Sequence, residues 1–143
     1  MDEKKLEAIT KLCDELGLDV GDVIEKIDDG EDDFTIGNYR FIHKDDIDQI
    51  LEDELGDDTY ILGCFNDWFI ADNTDLSYDI VRALQDGEQF EAIGQHILDN
   101  DFLEDFAKAY SDADGYGHHF GHYDGNEIDD ILPETGYYVF RIN

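Results

Sequence analysis

At 143 residues the chain has the length of one ordinary domain, and its 39 Asp and Glu against nine Lys and Arg give a formal charge of −30. Acidic disordered tails lack the aromatic and branched apolar residues that offset ordering entropy, whereas nine Phe, eight Tyr and 15 Ile suffice here for a packed core. The charge excludes nucleic-acid binding by bulk attraction and argues against an anionic substrate or a membrane surface, since such a field repels both.

The N-terminus alternates charged and apolar residues and lacks the apolar stretch of a secretory signal. No run approaches the roughly 20 apolar residues of a membrane span. A cytoplasmic protein is expected. Leu6, Ile9, Cys13 and Leu16 recur at helical spacing over residues 3–16, with Gly17 as a stop. A second helix is expected from Val20 to Asp28, capped by Asp19, with Val23, Ile24 and Ile27 inward. Residues 1–29 thus read as a helical hairpin, a candidate subdomain. It makes a poor DNA reader, because Lys26 is the only base of its second helix.

Phe34-Thr35-Ile36 and Tyr39-Arg40-Phe41-Ile42 flank Gly37-Asn38, the two-residue turn of a tight hairpin. Five helices are then expected. Asp45 or Asp46 caps the first, with Ile47, Ile50 and Leu51 inward. Asp57 or Asp58 caps the second, in which Tyr60, Ile61, Cys64, Phe65, Trp68 and Phe69 form the most apolar face of the chain. Asp75 caps the third, through Ile80, Val81 and Leu84 to Gly87. The fourth spans about Glu88 to Leu98 and the fifth about Asp101 to Tyr110. Tyr137 to Ile142 is the remaining strand, expected to join the hairpin because two strands alone are marginal in water. The expected fold is α+β: a mainly helical single domain, residues 1–143, with a small antiparallel sheet from residues 34–42 and 137–142.

Cys13 and Cys64 lie outside any C-x-x-C pair and read as two buried free thiols of a reducing compartment. With Cys64 on a buried face, a catalytic thiol is not expected. There is no G-x-S-x-G, no Walker loop and no dinucleotide fingerprint, and carboxylate pairs are too numerous to single one out. No enzyme and no cofactor are expected. The one unusual local stretch holds Asp112, Asp114, His118, His119, His122 and Asp124, whose side chains suit a transition metal. Its glycines at 115, 117, 121 and 125 break the helical H-E-x-x-H spacing, and as a calcium loop it fails at Tyr116 and Tyr123. It reads first as a Gly/His/Tyr-rich loop, and only as an alternative as the centre of a metal-binding protein or metalloenzyme.

Residues 45–143 hold 26 acids and three bases, a net of −23. Helix capping accounts for some of these acids, but not for 39. A compact domain of this length is about 37 Å across, and duplex DNA of that length carries about 22 phosphates. Carboxylates at i, i+3 and i+4 on a helix lie about 5–6 Å apart between Cβ atoms. Candidate rows are Asp45, Asp48 and Glu52; Asp53 and Asp57; Asp72, Asp75 and Asp79; and Asp101, Glu104 and Asp105.

In size and charge the chain resembles the DNA-mimic proteins of phages and mobile elements, the Ocr-type and ArdA-type antirestriction proteins and the acidic anti-CRISPR proteins. That resemblance implies inhibition of a restriction enzyme or CRISPR effector by occupation of its basic nucleic-acid site, with no direct contact to nucleic acid. A homodimer would lengthen the anionic surface if an apolar interface offset the repulsion. Two rivals share the charge: halophilic adaptation, which fits poorly with seven Ala beside abundant Ile, Phe and Tyr, and an adaptor for a basic partner that binds no nucleic acid.

Overall fold

The structure, a computed structural model, describes residues 2–128 and 135–143. It is mainly helical, with one small antiparallel sheet. The chain divides into two compact units, Met1–Ile47 with Asp114–Asn143, and Asp48–Ala113.

The first unit holds the sheet. Helix α1 (Glu3–Leu16) starts where Asp2 accepts from the Lys4 amide and ends at Gly17 in the left-handed region. Asp19 accepts from the Gly21 and Asp22 amides at the start of α2 (Val20–Asp28), the side-chain satisfaction that helix N-termini require. Strand β1 (Asp33–Ile36) turns through Gly37, at φ 59°, into β2 (Tyr39–His43), with Phe34 opposite Phe41. Strand β3 (Tyr137–Arg141) lies antiparallel on the other side of β2, with Val139 opposite Phe41. The hairpin and third strand are therefore as the sequence implies.

Ile9, Leu12, Cys13, Val23, Phe34, Phe41, Tyr137 and Val139 form one buried cluster, so α1 and α2 share their core with the sheet. The buried stripe of α1 runs through Ile9, Leu12 and Cys13, while Leu6, expected inward, is 41% exposed. The Phe34 and Phe41 rings stack 4.9 Å apart, and the Tyr137 hydroxyl donates to the Glu31 carbonyl at 2.6 Å. Burial pushes the Tyr137 phenol up, helped by the negative charges of Asp32, Asp46 and Glu31.

The second unit is helical: α3 (Ile47–Gly56, its first residue in the sheet unit), α4 (Thr59–Gly63), α5 (Asp67–Asp72), α6 (Tyr78–Asp86), α7 (Phe90–Asp99) and α8 (Leu103–Asp114, its last residue in the sheet unit). Its buried residues include Leu51, Leu55, Leu62, Ile70, Val81, Ile93, Ile97 and Phe106. Helices α4 and α7 meet backbone to backbone. A Cβ on Gly63 would overlap the Phe90 carbonyl oxygen, and one on Gly94 the Thr59 carbonyl oxygen.

Three expectations need correction. The apolar run from Tyr60 to Phe69 is not one helix. It breaks between Gly63 and Asp67, where the Asn66 side chain accepts from the Trp68 and Phe69 amides and starts α5 afresh. Gln85 holds the break by donating to the Gly63 and Phe65 carbonyls at 2.9 and 2.8 Å. Consequently Cys64 is exposed, not buried, as are Tyr60, Ile61 and Trp68, while Cys13 is buried as expected. Helix α6 is capped by Ser77, whose hydroxyl accepts from the Ile80 amide; Asp75 faces a histidine instead. Lastly, residues 112–124 are not all loop. Helix α8 continues to Asp114, and Tyr116–Phe120 form a short helix, α9, in the first unit.

Candidate partner-binding surface

The acids singled out from the sequence stand where solvent reaches them. Asp45, Asp48, Asp53, Asp57, Asp72, Asp75, Asp79, Asp101, Glu104 and Asp105 are exposed, and Glu52 is half-buried. Their grouping departs from simple helix rows. Asp48 and Glu52 share one face of α3, but Asp45 sits in the turn ahead of that helix and in the sheet unit. Asp53 accepts from the Gln49 side chain at 2.9 Å, and Asp57 follows the last residue of α3. Asp72 closes α5, Asp79 lies in the first turn of α6, and Asp75 is in the segment between them. Asp75 is already engaged, since its Oδ1 lies 2.6 Å from His96 Nε2. Asp101 adopts φ 60° ahead of α8, whose first turn carries Glu104 and Asp105.

The helical unit carries the field with little relief. Its 66 residues hold 18 Asp and Glu against Arg82 and Lys108, a net of −16. At Glu52 burial first, then the charges of Glu104 and Asp53, raise the carboxyl above its usual value. Each added negative charge nearby makes ionisation of the next harder.

An aromatic stack stands among these charges. The Trp68 and Tyr78 rings lie 3.9 Å apart and within 16° of parallel, and Trp68 remains 58% exposed. Arg82, one turn after Tyr78 on α6, donates to its hydroxyl at 3.2 Å. That bond, and then the charges of Asp86 and Asp67, strengthen the hold of Arg82 on its proton. Sequence reading missed this feature because apolar spacing placed Trp68 inward. The signal that would have found it is Asn66-Asp67, a helix-start pair in the middle of the apolar run.

The Asp/His segment is not gathered into a centre. Asp112 and Asp114 end α8, His118 is exposed on α9, and His119 packs edge-on against Phe120. His122 is exposed beyond α9, and Asp124 accepts from the Asn126 amide at 3.0 Å. Among the described residues no three His, Cys, Asp or Glu side chains converge as a metal site would require. Two of the glycines have a packing reason, since Gly117 and Gly121 lie against the Asn126 backbone with no room for a side chain, and Gly115 and Gly125 take positive φ.

No family model, curated protein or solved structure matches this chain. Among the described residues no helix is long and apolar enough to cross a membrane.

Proposed function

We propose that this protein is an acidic inhibitor that competes with nucleic acid for the basic site of a nuclease or CRISPR effector, acting as an anti-defence protein in the cytoplasm of a bacterial host. The observation that carries the reading is the helical unit, where 18 carboxylates meet two cations on a scaffold with its own buried core. A unit of that length is about 28 Å across, and duplex DNA over the same distance presents about 16 phosphates. The net charge of the unit is −16. A target whose Lys and Arg normally hold phosphates would meet a similar linear density of negative charge on a rigid body. Complementary fields of this kind speed encounter and lose strength steeply with salt.

The test is affinity capture by the full chain from a nuclease-treated bacterial lysate, followed by elution with duplex DNA, heparin or neither. Capture of nucleic-acid-binding proteins that duplex DNA releases supports mimicry. Capture that both polyanions leave undisturbed overturns it in favour of a basic partner of the adaptor kind. For the identified target, reversing Asp72, Asp79, Glu104 and Asp105 to Lys should weaken inhibition by at least about tenfold, as loss of interfacial charge pairs commonly does. Asp75 is left out of that set because it also holds His96.

A further inference from the structure

We infer that the Trp68–Tyr78 stack is the anchor of the partner-binding face and that it takes an arginine-bearing segment of the basic partner, an inference that rests on the inhibitor reading above. Tyr78 covers one face of the Trp68 indole, yet the residue is 58% exposed, so the opposite face lies open to solvent. The backbone that carries Trp68 and the hydroxyl end of Tyr78 are both tied down. The Trp68 amide donates to Asn66 Oδ1 at 3.0 Å and to its neighbour Asp67 at 2.8 Å, and the Tyr78 hydroxyl accepts from Arg82. A large aromatic held in place and left in water suits a binding anchor, since Trp, Tyr and Arg dominate interface energetics.

The surrounding charge selects the occupant. Asp67 precedes Trp68, Asp79 follows Tyr78, and Asp67 and Asp86 both act on Arg82, so the single cation here is outnumbered by carboxylates. A nucleic-acid base, the other common guest of an exposed indole, would bring its phosphates into this field and be repelled. A guanidinium gains twice. Its plane stacks on the open indole face, and its charge is met by the flanking carboxylates. An ammonium gains the charge term but stacks less well. The face therefore discriminates arginine from lysine, which bulk charge does not.

Trp68 is the only tryptophan in the chain, so its fluorescence reports this site alone. The experiment titrates the full chain with labelled deca-arginine and deca-lysine peptides at low salt. It reads affinity by polarisation and Trp68 accessibility by acrylamide quenching. Expected are at least about twofold protection of Trp68 by deca-arginine, binding of deca-arginine several-fold tighter than deca-lysine, and at least about tenfold weaker binding in Trp68→Ala. Trp68→Phe, which keeps a ring on Tyr78, should recover most of that loss and serves as the control for folding. If deca-arginine binds with Trp68 still fully quenchable and Trp68→Ala silent, the anchor is overturned while the acidic-inhibitor reading stands. Equal affinity for the two peptides overturns the arginine assignment. Failure of both peptides to bind at low salt overturns this inference and the reading beneath it together.

Discussion

The two units handle the same acidic composition in opposite ways. In the sheet unit, Lys26, Arg40 and Arg141 are each engaged by a carboxylate or a ring. Arg40 donates twice to Asp33, at 2.8 and 2.7 Å, and lies 5.0 Å from the centre of the Phe120 ring. Lys26 meets Glu31 at 3.3 Å, and Arg141 covers Tyr123 at 3.8 Å. In the helical unit only Arg82, Lys108 and His96 are basic, and Tyr60, Ile61, Trp68 and Ile80 are exposed. Cations held by carboxylates and rings stabilise a scaffold; carboxylates with few cations beside an open Trp68 destabilise it slightly and are what a partner can use. The difference teaches where to look for function, since net charge alone, −14 and −16 for the two, scarcely separates them.

The strongest way to break that division is to remove one core. Phe106 is fully buried in the helical unit, with Phe65 and Phe69 edge-on at 5.0 Å. Phe106→Ala should cost about 4 kcal/mol, the range for emptying such a site. Hydrogen exchange should then accelerate most in α6, α7 and α8. Equal acceleration in β1, β2 and β3 would mean that the two units do not open separately.

A slightly smaller effect tests the close approach within the helical unit. Gly94→Ala forces a methyl into the Thr59 carbonyl, which is backbone and cannot rotate away. The cost should be about 3 kcal/mol, the upper end for overpacking, read as a lower urea midpoint. A neutral result would show that α4 and α7 do not meet through their backbones.

Which parts were legible follows from how local their causes are. The hairpin at Gly37-Asn38, the cap at Asp19 and the stop at Gly17 depend on neighbouring residues, and the sequence reading placed them correctly. The break after Gly63 was missed because three residues, Cys64 to Asn66, separate α4 from α5, nearly one turn of 3.6. Apolar spacing therefore carries across the break without a change of phase. What holds the break open is Gln85, 20 and 22 residues along the chain from the carbonyls it serves, and no local pattern announces that. The acidic residues were legible as exposed because charges are rarely buried. Their rows were not, because Asp72, Asp75 and Asp79 belong to two helices and the segment between them.

The smallest effects sharpen the comparison most, because removing one carboxylate should have opposite signs in the two units. Asp33→Asn keeps one acceptor for Arg40 but loses the second and the charge, and should destabilise the sheet unit by about 1 kcal/mol at neutral pH, as partly exposed ion pairs do. Glu52→Gln should stabilise. Because the Glu52 carboxyl is raised above its usual value near 4.5, the folded state binds that proton more tightly than the unfolded chain does. Stability is therefore lost as pH rises from the ordinary carboxylate range through the raised value, and the whole penalty is present above it. Removing the charge relieves that penalty, so Glu52→Gln should melt higher at pH 7, by of order 1 °C, since small changes in free energy move Tm by degrees. The gain should vanish below the usual value, where Glu52 is protonated in both states. A gain that persists in acid would have to come from the neutral amide itself, since both burial of the charge and its repulsion by Glu104 and Asp53 are gone there.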